Sequence, residues 1–170
     1  YPFADSIQQQ KRVVVNSPLQ LRDGRYEIDF ADFERKAASP RCRAFVLSNP
    51  HNPVGRVYTE EELRRVGEIC RRHHVFVIAD EIHSDLIFPG HQHIVFASLG
   101  QNYAENCAVC HAPSKTFNLA GLSFSCIMIP NEERRKRFDQ MFARYCRAHP
   151  NFFAPVAAKA AKKFGRARQY

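Results

Sequence analysis

The chain has 170 residues, of which 45% are apolar and 25% are charged, and its formal net charge is +8. This length is sufficient for one domain with its own core, and the apolar share excludes an intrinsically disordered chain. No apolar run reaches the roughly 18 residues of a membrane-spanning helix. Residues 1–5 lack the basic start and apolar core of a signal peptide. We therefore expect a cytoplasmic protein without membrane contact, and the missing initial Met indicates part of a longer chain.

The positive charge does not by itself indicate nucleic-acid binding. Basic clusters at residues 71–72, 134–137 and 159–168 lie on helix-like segments that also carry acidic residues or an apolar face. Such clusters are typical of the solvent-exposed side of a helix. We expect no nucleic-acid partner.

The first predicted elements are a helix, a strand and a second helix. Asp29 is expected to cap a short helix that extends to Ala38. Residues 44–48 form an apolar run that ends at an Asn-, Pro- and Gly-rich loop, which is typical of a buried strand. Thr59 and Glu62 then form the sequence signature of a capping box at the start of a helix. The apolar face of this helix is expected to comprise Leu63, Val66, Ile69 and Cys70.

Strand-like and helix-like segments continue to alternate further along the chain. Residues 75–79 are all apolar, as expected for a strand covered on both faces, and residues 108–111 and 124–129 are further strand candidates. Asn131 is expected to cap a long basic helix, and a last helix is predicted over residues 154–164. This alternation predicts an α/β fold with a mainly parallel sheet and helices on both faces.

The six cysteines are expected to be reduced and scattered through the core. Residues 107–111 match the C-x-x-C-H pattern of covalent haem attachment. However, this pentapeptide lies in an apolar, strand-like run, and no second ligand pair follows at the spacing of a zinc site. We therefore expect neither haem nor a bound metal.

Three residues with potential chemistry follow the predicted strands. Asn52 and Asp80 come shortly after the first two strands, and Lys115 comes after the third. In parallel sheets, ligands bind at the carboxyl ends of the strands. An amide, a carboxylate and an amine are therefore expected at one edge of the sheet.

These are the functional groups that an enzyme dependent on pyridoxal 5'-phosphate (PLP) requires. An amine bonds to the cofactor aldehyde, a carboxylate keeps the pyridine nitrogen protonated, and a donor lies at the phenolic oxygen. Lys115, Asp80 and Asn52 match these requirements in turn. Taken singly, each has an ordinary interpretation as a solvated loop lysine, a capping aspartate or a turn asparagine.

The motifs around these residues resemble the aminotransferase class I/II family of fold-type I PLP enzymes. Within that family the likeness is to the cystathionine β-lyase branch of the MalY/PatB type. It is carried by residues 49–56 (Asn-Pro-His-Asn-Pro-Val-Gly-Arg), 80–83 (Asp-Glu-Ile-His), 85–91 and 114–121, and it extends from the start of the chain to at least Arg137.

The resemblance implies roles for five residues. Lys115 would bind the cofactor covalently and later act as general base. Asp80 would contact the ring nitrogen, and Asn52 the phenolic oxygen. Ser114 would contribute to phosphate binding, and Tyr1 corresponds to a family residue that stacks on the cofactor ring.

Two positions depart from the wider aminotransferase pattern. His83 stands where many aminotransferases have Tyr, and Ser123 stands where they have an Arg that contacts the phosphate. Both departures are consistent with the lyase branch. His83 is therefore also a candidate cofactor-binding residue.

The function that this resemblance implies is a PLP-dependent carbon–sulfur β-lyase that is a homodimer in its full-length form. It would release a thiol, pyruvate and ammonia from a thiol-bearing amino acid. An aminotransferase, or the aminotransferase-like sensor domain of a transcription regulator, are the alternatives. Residues 1–170 are expected to form part of the PLP-binding large domain, without the small C-terminal domain and an N-terminal segment, and to be inactive alone.

Overall fold

A computed structural model describes residues 2–145 and 151–164 of the chain. Within these ranges the helices are α1 (Pro2–Gln9), α2 (Phe30–Ala37), α3 (Glu60–Arg72), α4 (Gln101–Ala104), α5 (Glu132–Tyr145) and α6 (Phe153–Phe164). The strands are β1 (Leu19–Arg22), β2 (Arg25–Ile28), β3 (Ala44–Ser48), β4 (Phe76–Asp80), β5 (Cys107–His111) and β6 (Cys126–Met128). Short 3₁₀ turns occupy Phe96–Leu99 and Ala120–Leu122.

The central sheet has the strand order β3-β4-β5-β6. β4 pairs in parallel with both β3 and β5, and β6 pairs antiparallel with β5. A separate antiparallel hairpin is formed by β1 and β2. The predicted α/β class with a mainly parallel sheet is therefore confirmed.

The predicted helix caps are present. The Asp29 carboxylate accepts hydrogen bonds from two backbone N–H groups in the first turn of α2. At the start of α3, the Glu62 N–H donates to Thr59 Oγ1 at 3.3 Å, and the Thr59 N–H donates to Glu62 Oε2 at 2.9 Å. Asn131 Oδ1 accepts from the Arg134 N–H at 2.8 Å and caps α5. These caps satisfy backbone donors that a helix leaves unpaired at its N-terminus.

Some boundaries differ from the prediction by one or more residues. β4 comprises Phe76–Asp80 rather than residues 75–79, and β6 is shorter than the predicted strand over residues 124–129. The shift in β4 matters because Asp80 becomes the last residue of the strand. Its backbone is held there by pairing with Ser48 on one side and Cys110 on the other.

One core cluster joins α2 and α3 to the three parallel strands. The predicted apolar face of α3 is buried in this cluster, and Leu63 and Val66 are 0% exposed. Burying a large apolar side chain stabilises the fold by about 1.5–3 kcal/mol. Among the described residues, no helix has the length and apolar character needed to cross a membrane.

Candidate active site

The carboxyl ends of β3, β4 and β5 meet at one edge of the central sheet. Ser48, Asp80 and Cys110 lie side by side there, because Ser48 pairs with Asp80 and Asp80 pairs with Cys110. The chain leaves this edge through residues 49–58 after β3, residues 81–95 after β4 and residues 112–119 after β5. Ligands of parallel sheets bind at this kind of edge.

Asp80 has a half-buried carboxylate at the end of β4. Its Oδ1 accepts a hydrogen bond from the Ile82 N–H at 3.2 Å. Within the part of the chain that the structure describes, Oδ2 has no hydrogen-bond partner. Burial above all, together with the nearby carboxylates of Asp80 and Glu81, raises the pKa of the Cys110 thiol. Asp80 thus places an anionic oxygen at the sheet edge that a cationic or N–H group could contact.

Asn52 lies in a tight turn after β3. The His51 N–H donates to the Arg56 carbonyl at 2.7 Å, and the Gly55 N–H donates to the His51 carbonyl at 2.8 Å. Gly55 has a φ of 66°, a conformation that glycine adopts without steric cost. The Asn52 side chain is exposed and makes no hydrogen bond to the described residues. Its amide is therefore available to a ligand.

Lys115 lies in a compact turn after β5. The Phe117 N–H donates to the Pro113 carbonyl and the Leu119 N–H donates to the Ser114 carbonyl, each at 3.0 Å. The Lys115 side chain is exposed, and its ammonium forms no ion pair or hydrogen bond with the described residues. The Ser114 side chain beside it is half-buried. An uncommitted amine thus follows the third parallel strand.

Of the two remaining predicted site residues, His83 lies within the described residues and Tyr1 does not. His83 is half-buried in the turn after Asp80, where its carbonyl accepts a hydrogen bond from the Leu86 N–H at 3.0 Å. Tyr1 lies outside the described residues, so its stacking role stays a prediction.

Comparison with known proteins identifies the family. The family model named aminotransferase class I and II matches residues 2–169. The chain belongs to this family.

Three relatives illustrate the range of the aminotransferase class I and II family around this chain. Cystathionine beta-lyase PatB of Bacillus subtilis is 44% identical over 164 residues, which are 96% of this chain and 42% of PatB. Aspartate aminotransferase of Geobacillus stearothermophilus is 30% identical over 127 residues, 75% of this chain and 32% of that protein. The crystal structure of cystalysin from Treponema denticola, which contains a pyridoxal 5'-phosphate cofactor, matches with a TM-score of 0.93 and 35% identity. That match covers 96% of this chain and 42% of cystalysin, so the chain spans about two fifths of the length of such relatives.

In this member of the family, a contact that the sequence did not predict links two of the edge segments. Thr116 Oγ1 donates a hydrogen bond to Asp85 Oδ2 at 2.9 Å, and His111 Nε2 lies 3.6 Å from the same oxygen. Thr116 follows Lys115 directly, and Asp85 lies in the turn after β4. Both residues fall inside the motifs, but a pairing across 31 residues has no local signal in the sequence.

A second unpredicted feature is the buried carboxylate of Glu81, next to Asp80. Glu81 is 2% exposed, and its carboxylate accepts a hydrogen bond from the Phe96 N–H at 2.8 Å. Its other oxygen lies 2.9 Å from His93 Nε2. The Glu81 N–H also donates to the Cys110 carbonyl at 2.9 Å. Glu81 therefore ties the segment after β4 both to β5 and to the chain near Phe96.

Arg56 has a structural role in the turn that carries Asn52. Its guanidinium donates to the Tyr26 carbonyl at 2.6 Å and to the Glu62 carboxylate, and it lies 4.9 Å from the centre of the Tyr58 ring. The side chain is 8% exposed. Because its guanidinium is buried and already bonded to these groups, Arg56 is not available to bind the carboxylate of a substrate.

The C-x-x-C-H pentapeptide is strand β5. Alternate residues of a strand point to opposite faces, so Cys107 and Cys110 project to different sides of the sheet. Cys107 is packed in the core with Val109. The two sulfurs are therefore not arranged to hold one haem or one metal ion, and the described residues contain no cluster of three potential metal ligands.

Proposed function

We propose that this chain forms part of the PLP-binding large domain of a carbon–sulfur β-lyase. The proposal rests chiefly on one observation. Asp80 ends one parallel strand, Asn52 and Lys115 follow its two neighbours, and all three side chains keep polar atoms without partners in the described chain. The similarity to PatB and to PLP-containing cystalysin supports both the cofactor and the reaction.

The chemistry of these donors fits the polar groups of PLP. The Asp80 carboxylate, through Oδ2, would hold the proton on the ring nitrogen. Asn52 Nδ2 would donate a hydrogen bond to the phenolic oxygen. Lys115 Nζ would bond to the aldehyde carbon and retain the cofactor.

Three further residues would complete the site. The Ser114 hydroxyl, one residue before Lys115, would donate to a phosphate oxygen. His83, half-buried after Asp80, would contact the cofactor from the turn that follows β4. Tyr1 would stack on the ring, as the family resemblance implies.

When bound, PLP supplies a ring that accepts the electrons of a bond broken at the substrate α-carbon. The side chains of the protein would hold and transfer protons around this ring. Asp80 would maintain the positive charge of the ring by keeping its nitrogen protonated. Lys115 Nζ, once the substrate amine has displaced it, would accept the α-proton as general base. Lys115 breaks no ion pair within the described chain when it takes this role. The products would be a thiol, pyruvate and ammonia.

The lyase is favoured over an aminotransferase by the 44% identity to PatB and by two residues. His83 and Ser123 replace the Tyr and Arg that the resemblance associates with many aminotransferases. An aminotransferase remains the second candidate function, and the similarity to aspartate aminotransferase supports it.

We further propose the context in which this domain works. Residues 1–170 would correspond to part of the large domain of a longer, cytoplasmic homodimer that also has a small C-terminal domain and an N-terminal segment. The coverage of 42% of PatB supports the longer chain. Exposed apolar side chains on α5, at Phe138, Met141 and Phe142, support burial against another surface. Five free cysteines among the described residues fit a reducing compartment.

The full-length protein loaded with PLP should convert cystathionine to a thiol and pyruvate. Lys115→Ala should abolish this activity, because it removes the only general base of the proposal. Lys136→Ala changes an exposed lysine of α5 and is the matched control, with activity expected to stay at the level of the unmodified protein. Amino exchange with a keto acid and no thiol release would favour the aminotransferase. The absence of both reactions and of PLP binding would contradict the proposal.

A further inference from the structure

We infer that Asp85 and Thr116 are positioning residues, which hold the turn that carries Lys115 against the segment that follows Asp80. The inference deepens the proposed function and rests on it. In this inference, the hydrogen bond between the Asp85 and Thr116 side chains orients the Lys115 amine toward the cofactor.

The contact brings together groups from three places at the sheet edge. Thr116 comes from the turn after β5, Asp85 from the turn after β4, and His111 from the end of β5. Asp85 Oδ2 accepts the Thr116 hydroxyl at 2.9 Å and lies 3.6 Å from His111 Nε2. The His111 side chain is 21% exposed and that of Asp85 is 39% exposed, so water competes only partly for these groups. The carboxylate oxygen therefore accepts one hydrogen bond, from Thr116, and lies near the imidazole of His111.

The turn that carries Lys115 depends on this contact for its orientation. The backbone hydrogen bonds of Phe117 and Leu119 close the turn on itself and do not connect it to another part of the sheet edge. Among the described residues, the Thr116–Asp85 bond is the hydrogen bond that joins residues 113–118 to a different segment. Since Lys115 and Thr116 are adjacent, fixing the Thr116 side chain restricts the directions open to the Lys115 side chain.

The other end of the contact is firmly held. The turn that contains Asp85 is closed by hydrogen bonds from the Ser84 N–H to the Glu81 carbonyl and from the Leu86 N–H to the His83 carbonyl, each at 3.0 Å. Glu81 in turn is buried and hydrogen-bonded to Phe96 and His93. Asp85 can therefore serve as a fixed acceptor for Thr116 in the turn that carries Lys115.

The first test measures how fast Lys115 captures PLP in the full-length protein. Nζ condenses with the aldehyde with loss of water, and borohydride then donates a hydride that makes the bond permanent. The labelled Lys115 peptide is quantified by mass spectrometry after different mixing times. Thr116→Val keeps the shape but removes the donor, and it should slow capture about tenfold, the effect of losing one hydrogen bond to a charged group. Thr116→Ser keeps the hydroxyl and should restore most of the rate.

The second test separates positioning of Lys115 from general support of the site. PLP affinity is measured by equilibrium dialysis for Asp85→Ala with Lys115 present and again in a Lys115→Ala background. Asp85→Ala should weaken PLP binding about tenfold in the first case and leave it unchanged in the second. Thermal unfolding of each variant verifies that it is folded. If Asp85→Ala does not fold, the milder Thr116→Val replaces it in this comparison.

The outcomes distinguish the inference from the proposed function. If the unmodified protein shows no PLP on Lys115, the proposed function fails, and this inference fails with it. If capture occurs but Thr116→Val is as fast as the unmodified protein, only the inference is overturned. Equal weakening by Asp85→Ala in both backgrounds would also overturn it, since that result describes a purely structural residue.

Discussion

Arg56 shows how one buried charged residue supports a predicted ligand-binding turn. Its guanidinium contacts the Tyr26 carbonyl, the Glu62 carboxylate and the Tyr58 ring. It therefore connects the hairpin, the capping box of α3 and the turn that bears Asn52. Removal of one partner of a buried ion pair leaves the other charge uncompensated, which is more costly than loss of an exposed pair.

We predict that Arg56→Met lowers the free energy of unfolding by about 3 kcal/mol at neutral pH. Met retains apolar volume, so the loss reports on the charge and its hydrogen bonds. Urea denaturation of the full-length protein measures the effect. Arg71→Met is the matched control, because Arg71 forms an exposed ion pair with Glu68 and should cost less than about 1 kcal/mol.

The same substitution should change the response to acid. Burial raises the pKa of the Glu62 carboxyl. The hydrogen bonds from Arg56 and Thr59 lower this pKa by more than burial raises it, so the pKa of Glu62 lies below its ordinary value. A lowered pKa stabilises the folded state above the unfolded value of about 4.3, and this contribution is lost as the pH falls through the folded pKa. As the pH falls from about 5 through the folded pKa of Glu62, the unmodified protein should lose more stability than Arg56→Met. An equal loss in both proteins would contradict the role given to Arg56.

At the scale of elements, the packing of α3 against Tyr103 of α4 depends on Gly67. An added Cβ there would lie 2.5 Å from Cδ1 and 2.6 Å from Cε1 of Tyr103, which is too close for non-bonded atoms. The Tyr103 ring cannot easily move away, because its hydroxyl donates to Glu68 Oε1 at 2.8 Å and its ring packs against that of Phe96 at an interplanar angle of 72°. Glycine in α3 is therefore a requirement of packing.

We predict that Gly67→Ala destabilises the protein by about 1–2 kcal/mol, although Ala is favoured over Gly in a helix interior by about 1 kcal/mol. In a Tyr103→Ala background the clash is absent, and the same substitution should be neutral or stabilise by up to about 1 kcal/mol. Urea denaturation of the two pairs of variants measures this reversal of sign. A destabilisation of equal size in both backgrounds would show that Tyr103 is not the cause.

For the whole molecule, the sequence was most informative where the signal is local. The caps at Asp29 and at Thr59 with Glu62 were predictable because each depends on residues at most three positions apart. The hairpin of β1 and β2 was missed, although Asp23 and Gly24 both have the positive φ of a tight hairpin turn. The local signal was present and was overlooked, because apolar and polar residues alternate in both strands, Leu19–Arg22 and Arg25–Ile28, on either side of Asp23-Gly24.

In the candidate site, too, local features could be predicted from the sequence and contacts between distant segments could not. Asn52, Asp80 and Lys115 could be assigned to one sheet edge because each lies at or after a strand, and parallel pairing aligns the strand ends. The contacts of Asp85 with Thr116 and of Glu81 with His93 could not be predicted. They depend on how loops from different strands pack together, which no spacing within a single segment encodes.

The core that supports this edge can be tested as a unit through its thiols. Cys70 of α3 and Cys107 of β5 are both 0% exposed, and burial is the main cause that raises the pKa of each thiol to about 12. At about pH 8 the reactive thiolate fraction is then on the order of 10⁻⁴. We predict that iodoacetamide labels both residues only when the native core opens, so increasing urea should accelerate the two in parallel. Half-buried Cys126 of β6 is the internal comparison and should react sooner. Labelling of Cys107 in the absence of urea while Cys70 stays protected would mean that β5 and α3 do not share one cooperative core.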